Sequence, residues 1–263
     1  MNWIIYNELA WAENILSATE SYEEETMVYI KTIERYIPIQ SPTMLHLGCG
    51  AGGHDFYFKK HFTVTGVDLS EGMLNLASAK NPEITYVKGD MRTINLNKKF
   101  DIVIIPDSIA YMTTLEDLMA TMKNAAAHMN PNGVLLVVAH TKEEFRNNNF
   151  AYTGEKNNIH ITIFENNHIV SESSYEATLT YLIRDESGKR IYNEVHTLGL
   201  FTYDQWMDIF NKCQFKVDEM KLNDLYDKNL LEDGEYKLKL FIGTSIFNSE
   251  QNWGHIQEKI NSR

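Results

Sequence analysis

The sequence has few cysteines, few prolines and no long apolar run. Its two cysteines, Cys49 and Cys213, are widely separated and form no metal-binding spacing, which is typical of a protein from a reduced compartment. No stretch approaches the roughly 20 apolar residues that a membrane helix requires. The first residues are acidic and polar, without a basic segment, so we predict no signal peptide and a cytoplasmic location.

Basic residues are also scarce. The chain has 36 acidic and 24 basic residues among 263, for a formal net charge of −12, and shows no basic patch. Because nucleic acids and anionic membranes bind to basic surfaces, we predict neither as a partner and expect a small-molecule ligand instead. The motifs H-E-x-x-H, paired C-x-x-C, G-x-S-x-G and the Walker loop are absent, so we predict no metal site and no nucleophilic triad.

What the sequence does contain is an alternation of strand-like and helix-like segments from residue 43 to residue 139. Apolar strands followed by helices predict an α/β fold, with a largely parallel sheet covered by helices. Residues 3–37 also read as helical, and Asn130–Gly133 reads as a turn. The expected strands are Thr43–Leu47, Thr63–Val67, Ile84–Val87, Asp101–Ile105 and Val134–Ala139, and the expected helices are Asp55–Lys60, Glu71–Lys80 and Leu115–Met129.

The pattern changes after His140. From about Ile159 to Leu200, near period-two alternation predicts an antiparallel meander of three or so strands, with turns at Asn166-Asn167 and Asp185–Gly188. The sequence then predicts a helix over Tyr203–Cys213 and strands over Phe215–Leu222 and Leu238–Ile246. The acidic segment between those two strands (Asp224, Asp227, Glu232 and Asp233) is expected to form a loop.

A glycine cluster follows the first strand, in the sequence TMLHLGCGAGG of residues 43–53. Glycine permits positive φ and lets the backbone approach a ligand closely, as in nucleotide-binding turns. Asp68 ends the next strand, where a carboxylate can accept hydrogen bonds from both hydroxyls of a ribose. These two features alone fit a dinucleotide site. A dinucleotide site does not explain two further motifs. They are Gly89-Asp90-Met91 after the third strand and Asn-Pro-Asn-Gly before the fifth strand.

Together, the motifs LGCGAG, VTGVDLS, YVKGDMR and NPNGVLL resemble those of class I S-adenosylmethionine-dependent methyltransferases. The resemblance covers roughly residues 20–140, the last helix and the last two strands. Within that class, the chain is similar to enzymes that N,N-dimethylate amino groups of nucleotide-linked deoxysugars. The shared features are Tyr22, Gly89–Arg92, Ser108, Tyr111 and VHTLGLFTYDQW.

The resemblance implies a Rossmann-like, seven-stranded, mostly parallel sheet with helices on both faces and an antiparallel β insertion after the fifth strand. It further implies that the insertion covers the substrate. We expect the N-terminal helices and the cofactor-binding core in residues 1–140 and the substrate cap in residues 141–200. The last helix and two core strands would occupy residues 201–248, followed by a loosely ordered tail in residues 249–263.

The resemblance also implies S-adenosylmethionine as cofactor and S-adenosylhomocysteine as product. The glycines Gly48, Gly50 and Gly52 would admit the methionine portion, Asp68 would bind the ribose, and Asp90 would accept from the adenine amino group. Leu69 and Met91 would flank the adenine ring, and the backbone of Ile105 or Pro106 would bind the ammonium. The complete predicted cofactor set is Tyr22, His46, Gly48, Cys49, Gly50, Asp68, Leu69, Met73, Asp90, Met91, Ile105 and Pro106.

One residue departs from the family pattern: His46 stands where the family usually has an acid. The lost carboxylate would be a partner of the glycine loop or of the cofactor's ammonium. Either neighbouring residues compensate for it, or the cofactor binds more weakly.

Methyl transfer from a sulfonium needs alignment, exclusion of water and an unprotonated nucleophile. We therefore predict His196, Tyr6 and Tyr111 as the residues that accept a proton or orient the substrate. The expected acceptor is an amine nitrogen, with an amino sugar or a hydroxyl as further options. A nucleotide-sugar substrate would need a phosphate-binding basic pair, and Arg146, Arg184 and Arg190 are the only arginines of the insertion.

Other functions stay open on sequence grounds. They are an NAD-dependent oxidoreductase, a non-catalytic S-adenosylmethionine-binding protein acting as a sensor or scaffold, and chemistry on the cofactor itself, such as its cyclisation. The oligomeric state is expected to be a monomer or a homodimer.

Overall fold

In the computed structural model, residues 3–17, 19–222, 225, 227–231 and 236–245 are described. The α-helices are α1 (Glu13–Leu16), α2 (Glu23–Tyr36), α3 (Asp55–Phe58), α4 (Glu71–Lys80), α5 (Leu115–Ala127) and α6 (Tyr203–Lys212). The first strands are β1 (Thr43–Leu47), β2 (Thr63–Asp68), β3 (Thr85–Lys88), β4 (Phe100–Ile105) and β5 (Met129–Ala139). They are followed by β6 (Asn148–Lys156), β7 (Ile159–Ile169), β8 (Ser174–Asp185), β9 (Gly188–Gly199), β10 (Phe215–Leu222) and β11 (Leu238–Ser245).

Seven strands form the core sheet, in the order β10-β11-β5-β4-β1-β2-β3. The neighbouring pairs among β1 to β5 are parallel, whereas β11 runs antiparallel to both β5 and β10. The predicted fold class is therefore confirmed. From β1 the chain adds β2 and β3 on one side of the sheet, and from β4 it adds β5 on the other side. The direction in which strands are added therefore reverses between β1 and β4. In open α/β sheets, ligands bind at this reversal, beyond the carboxyl ends of the strands.

The side chains of β4 show how the sheet is covered on both faces. Val103 and Ile105 pack with Leu118 of α5 and Trp206 of α6 in one buried cluster. Ile102 and Ile104 point to the other face and pack with Tyr29, Ile30 and Ile33 of α2 in a second cluster. A strand buried on both faces needs apolar residues at consecutive positions, which is why this segment reads as a continuous apolar run.

The segment after β5 forms a separate antiparallel sheet, in the order β6-β7-β8-β9, which we call the cap sheet. It has four strands where the sequence indicated about three. The predicted turn at Asn166-Asn167 is wrong, because both residues lie inside β7 and pair with β8. Positive φ values at Asn157 and Asn158 instead make a two-residue turn between β6 and β7. The predicted turn at Asp185–Gly188 is confirmed.

The N-terminal region is not the continuous helix predicted for residues 3–37. Short 3-10 helices over Ala10–Ala12 and Thr19–Tyr22 precede α1 and α2, respectively. The apolar side chains of Ile5, Leu9 and Ala12 pack against apolar side chains of β7 and β8 in the cap sheet. This tertiary contact accounts for the interruption, since helical propensity is weak compared with the burial of an apolar face.

The Asn130–Gly133 segment is not a free turn before the fifth strand, because it belongs to β5. The pairing of β5 with β4 jumps from Phe100–Met129 to Ile102–Val134, so the extra residues bulge. Asn132 has a φ of 65°, and the Asn130 amide donates to Asp101 Oδ1 at 2.8 Å.

The start of β5 at Met129 precedes the predicted start at Val134 by five residues, and the remaining predicted helices and core strands agree with the structure to within two residues at their ends. Of the predicted acidic loop, Asp227 lies in a short 3-10 helix, whereas Asp224, Glu232 and Asp233 lie outside the described residues. The predicted tail also lies outside them. None of the helices that are described is long and apolar enough to cross a membrane.

Candidate active site

Two adjoining cavities open at the carboxyl ends of β1 and β4, where the winding of the sheet reverses. The smaller cavity, of about 420 Å³, is lined by residues that include Asp68, Leu69, Asp90 and Met91. The larger cavity, of about 580 Å³, extends from the glycine loop after β1 to the cap sheet. Five residues line both cavities and make them adjoin: Tyr6, Gly48, Gly50, Ser108 and Tyr111.

The glycine loop brings bare backbone to the junction of the two cavities. Gly48 has a φ of 73°, and a Cβ atom there would lie 2.1 Å from Oγ of Ser108. The Ser108 hydroxyl in turn donates to the carbonyl of Leu47 at 3.2 Å, which ties the end of β1 to the segment after β4. Any residue larger than glycine at position 48 would therefore disrupt this junction.

Asp68 is held in place by the glycine loop and by its own turn. One carboxylate oxygen accepts from the backbone N–H of Gly50 at 2.8 Å, and the other accepts from the backbone N–H of Ser70 at 2.8 Å. An ionised carboxylate has about four acceptor positions. The half-buried Asp68 can therefore keep both bonds and still accept from a ligand in the smaller cavity.

Asp90 lies on the far wall of the smaller cavity and is paired with Arg92. The Arg92 guanidinium donates to both oxygens of Asp90, and it also donates to Asp117 at 2.8 Å. The hydrogen bonds from Arg92 hold the pKa of Asp90 below its usual value, so this carboxylate stays ionised. Leu69, which is 43% exposed, and Met91 supply the apolar walls of this cavity.

His46 lies on β1 and makes a buried contact with a carboxylate from α3. Its Nδ1 atom is 2.6 Å from Oδ1 of Asp55, and both side chains are buried. The Tyr86 hydroxyl donates to the other oxygen of Asp55 at 2.9 Å. A carboxylate is thus present beside the position where the family resemblance places one, although it comes from a different element.

Asp107 and Glu165 face the larger cavity from opposite sides. Asp107 follows Pro106 at the end of β4, is exposed to the cavity and has a φ of 56°. Loss of solvation, followed by repulsion from Glu25 and Glu165, raises the pKa of Asp107 to about 7. Glu165 comes from β7 and accepts from the Asn167 amide at 2.7 Å, and its pKa is also raised by loss of solvation.

A hydrogen-bonded chain runs from the junction of the cavities into the cap sheet. The hydroxyls of Tyr6 and Tyr111 are 2.6 Å apart, and the Tyr111 hydroxyl is 3.0 Å from Nδ1 of His196. Nε2 of His196 lies 3.3 Å from Oε1 of Glu194, without hydrogen-bond geometry. The Trp3 ring stacks on His196 at a centroid distance of 4.2 Å. Burial raises the pKa of both tyrosines, so they stay protonated at neutral pH.

Most of the predicted site residues line these cavities, but Gly52, Ile105 and His196 do not. A Cβ atom at Gly52 would meet the side chains of Tyr86 and Asn81, so this glycine allows close packing behind the loop and does not face a ligand. Ile105 is fully buried in the core cluster below β4, and His196 is only 3% exposed beneath Trp3. Neither residue lines a cavity, so His196 can act on a ligand only through Tyr111. Five predicted residues line the larger cavity alone: Tyr22, His46, Cys49, Met73 and Pro106.

His140, at the end of β5, supports the cavity wall from behind. It is buried, with Nδ1 2.7 Å from the carbonyl of Lys237 and Nε2 2.8 Å from the hydroxyl of Tyr236. Burial lowers the pKa of His140 to about 4, so the ring is neutral. Tyr236 itself lines the larger cavity, which gives His140 an indirect place in the site.

Several lining residues were not identified from the sequence: Asp107, Tyr152, Glu165, Tyr175 and Tyr236. A signal for one of them exists. Ile161 and Ile163 occupy alternate, buried positions of β7, so period two places Glu165 on the same inward face. A carboxylate that interrupts an apolar strand face indicates a site, because an inward-facing charge is costly unless it has a partner.

Comparison with known proteins decides the class of this site. Residues 44–133 match the model of a protein family described as methyltransferase domain. These residues form a methyltransferase domain. They include the glycine loop, Asp68, Asp90 and Asp107, which line the two cavities.

Named relatives of this methyltransferase domain span most of the chain. The chain is 28% identical over 186 residues to dTDP-3-amino-3,4,6-trideoxy-alpha-D-glucopyranose N,N-dimethyltransferase from Streptomyces venezuelae, covering 69% of this chain and 78% of that enzyme. It is 28% identical over 209 residues to dTDP-3-amino-3,6-dideoxy-alpha-D-glucopyranose N,N-dimethyltransferase from Streptomyces fradiae, covering 76% and 80%. The crystal structure of Streptomyces venezuelae DesVI superposes with a TM-score of 0.73 at 25% identity, covering 86% of this chain and 92% of that one.

These matches confirm the predicted methyltransferase class, for which the sequence predicts S-adenosylmethionine as cofactor. They support methyl transfer over NAD-dependent hydride transfer. The relatives named here are enzymes, which favours catalysis over a purely binding role for the methyltransferase domain.

Proposed function

We propose that this protein transfers a methyl group from S-adenosylmethionine to the amine nitrogen of a small molecule. The observation that carries the proposal is the junction of the two cavities at Gly48, Ser108 and Tyr111. A methyl donor in one cavity and a methyl acceptor in the other would meet at this junction, as direct group transfer requires. The choice of an amine rests on the named relatives, which are N,N-dimethyltransferases of amino sugars.

The smaller cavity fits the adenosine portion of the cofactor. Asp68 offers carboxylate acceptors to the two ribose hydroxyls, and Leu69 and Met91 offer apolar surface to the adenine ring. Asp90, ionised by Arg92, can accept from the adenine amino group. These donor and acceptor types match a nucleoside, which has a diol, a flat ring and an amino group.

The methionine portion fits the part of the larger cavity next to the glycine loop. Gly48 and Cys49 present backbone there. The carbonyl of Pro106 accepts from the backbone N–H of Ser108, and its second acceptor position would serve an ammonium group. Burial raises the pKa of the Cys49 thiol, so this residue is a packing group and not a nucleophile. S-adenosylmethionine supplies an activated methyl group on a positively charged sulfur.

The residues of the protein then have three tasks: to align the acceptor, to exclude water and to take up a proton. Tyr6 and Tyr111 stand at the junction and can orient an amine by hydrogen bonding. Their raised pKa values mean that they do not act as anionic bases at neutral pH. Asp107 suits the third task better, because a carboxyl group with a pKa of about 7 accepts a proton near neutral pH.

The proposal is tested by incubating the protein with S-adenosylmethionine and separate panels of primary amines, amino sugars and alcohols. We expect one or two methyl groups on the nitrogen of an amine, detected by mass spectrometry, with matching formation of S-adenosylhomocysteine. Gly48→Val, which closes the junction, is the background control. Product confined to the alcohols would overturn the choice of nitrogen, and binding of S-adenosylhomocysteine without any methylated product would overturn catalysis on these acceptors.

The acceptor is proposed to be a free small molecule, in keeping with the acidic net charge of the chain. A cytoplasmic location and a monomeric or homodimeric state stay predictions from the sequence.

A further inference from the structure

We propose that the methyl acceptor is an amine without phosphate groups. It binds as its ammonium form between Asp107 and Glu165 in the larger cavity and gives up a proton to Asp107 before its nitrogen attacks the methyl group. This inference rests on the proposed N-methyltransferase function and narrows its substrate class. It sets this protein apart from the named relatives, whose names specify dTDP-linked amino sugars.

The charge of the larger cavity is the first support. Among the described residues that line it, the acids are Glu13, Glu24, Glu25, Asp107 and Glu165, and Lys228 is the one lysine or arginine. A diphosphate group brought into this cavity would meet like charges in a partly desolvated space. Such juxtaposition opposes binding, whereas a cation is attracted.

The arginines of the insertion do not change this balance. A phosphate-binding site would be expected to use a forked pair of arginine donors, but none of the three lines either cavity. Arg146 donates to the backbone carbonyls of Glu143 and Phe145. Arg184 and Arg190 lie near the hairpin end of β8 and β9, where Arg190 pairs with Asp185.

The availability of the acids is the second support. The hydroxyls of Tyr22 and Tyr29 donate to Glu13 and Glu25, respectively. Within the part of the chain that is described, Asp107 makes no side-chain hydrogen bond, although it is open to the cavity. Loss of solvation raises the pKa of both Asp107 and Glu165, and among the described residues no lysine or arginine pairs with either carboxylate to supply a compensating positive charge. A bound ammonium group would supply that charge.

The aromatic lining is the third support. Tyr152 of β6, Tyr175 of β8 and Tyr236, which precedes β11, line the larger cavity. Tyrosine faces attract ammonium groups, and their rings pack well on the carbon skeleton of an amine or a sugar. Acids and tyrosines together therefore favour an amine with a compact body over an acceptor carried by a nucleoside diphosphate.

Binding experiments can test this preference independently of catalysis. The protein is saturated with S-adenosylhomocysteine, and calorimetry compares three probes: 3-amino-3,6-dideoxyglucose, the same sugar linked to dTDP, and dTDP alone. We expect the free amino sugar to bind at least about tenfold more tightly than the dTDP-linked form, and dTDP alone not to compete with it. Tighter binding of the dTDP-linked sugar, competition by dTDP or failure of the free amine to bind would overturn the inference.

Variants assign the preference to the two carboxylates. Asp107→Asn and Glu165→Gln should each lower the affinity for the free amino sugar by about tenfold and leave the affinity for S-adenosylhomocysteine unchanged. Glu155→Gln removes the same charge from an exposed position on β6 and serves as the matched control. Glu165→Lys should reduce the difference in affinity between the free and the dTDP-linked amino sugar. If Asp107→Asn lowers the affinity for S-adenosylhomocysteine as much as the affinity for the amine, Asp107 belongs to the cofactor site, and its assignment to the amine site is wrong.

The same samples separate the two proposals when S-adenosylmethionine replaces its product. If the free amine binds preferentially but is never methylated, the proposed N-methyltransferase function is refuted, whereas the proposed preference for a phosphate-free amine still holds. If the dTDP-linked sugar is methylated faster than the free amino sugar, the preference for a phosphate-free amine is refuted, whereas the N-methyltransferase function still holds.

Discussion

Nδ1 of His46 lies 2.6 Å from Oδ1 of Asp55, with both side chains buried. This contact accounts for the histidine at a position where the family resemblance leads us to expect an acid. The carboxylate of Asp55 comes from α3, and Tyr86 donates to its second oxygen at 2.9 Å. His46 and Asp55 are therefore expected to work as a unit, so that neither can be changed to an acid or an amide alone without cost.

The first prediction concerns this pair. His46→Asp places two carboxylates in contact in a buried site, so we expect the free energy of unfolding to fall by about 2–4 kcal/mol. The double variant His46→Asp with Asp55→Asn should recover most of that loss, because only one charge remains. Urea denaturation measures both. His168→Asp, at an exposed position, is the control, and a double variant less stable than His46→Asp alone would contradict the prediction.

The second prediction concerns Asp68. Asp68→Asn removes a carboxylate oxygen that accepts from Gly50 and would also accept from the ribose. We expect the affinity for S-adenosylhomocysteine to fall by ~1–3 kcal/mol, measured by calorimetry, because donors on both sides lose a charged acceptor. Glu116→Gln on the exposed side of α5 should have no effect. Unchanged affinity in Asp68→Asn would exclude its role in ribose binding.

The third prediction distinguishes Tyr111 from His196. Tyr111→Phe removes the hydroxyl between Tyr6 and His196, so kcat should fall on the order of tenfold with little change in the affinity for S-adenosylhomocysteine. His196→Gln should have a smaller effect on kcat, since His196 lines neither cavity. Tyr192→Phe on the same cap sheet is the control. A larger loss of kcat in His196→Gln than in Tyr111→Phe would show that the histidine contacts the substrate.

The fourth prediction is a dependence of stability on pH. Asp107 has a pKa of about 7 in the folded protein and an ordinary value of 3.8, so the folded state binds more protons between these values. Its contribution to stability is therefore complete below about pH 4 and is lost as the pH rises to about 7. Asp107→Asn should remove this loss, so its melting temperature relative to the wild type should increase from acidic to neutral pH. A constant or decreasing difference would show that Asp107 is not held in a repulsive environment.

Features that depend on a few neighbouring residues were predictable from the sequence. The bounds of β1 and α4 and the capping of α4 by Ser70, which accepts from the N–H of Met73, follow from local apolar runs and turn residues. Asp68 and Asp90 were also predictable, since the carboxyl ends of parallel strands share one edge of the sheet.

Features that depend on distant contacts were not predictable. The sequence places His196 in an alternating, strand-like segment, but only the packing of Trp3 over it shows that its side chain is covered. In the same way, residues 3–17 have a helical pattern, yet their contact with the cap sheet interrupts the helix. Asn166 and Asn167 resemble a turn, but their pairing with β8 makes them part of β7.

The sequence by itself determined the α/β alternation, the glycine loop and the two acids that end consecutive strands, because strand periodicity and turn chemistry act over short distances. Only the tertiary structure decided which acids face the larger cavity and what stands beside His46. Those relationships join α3 to β1 and the end of β4 to the cap sheet, and segments far apart in the chain meet only when the two sheets and the N-terminal segment pack together.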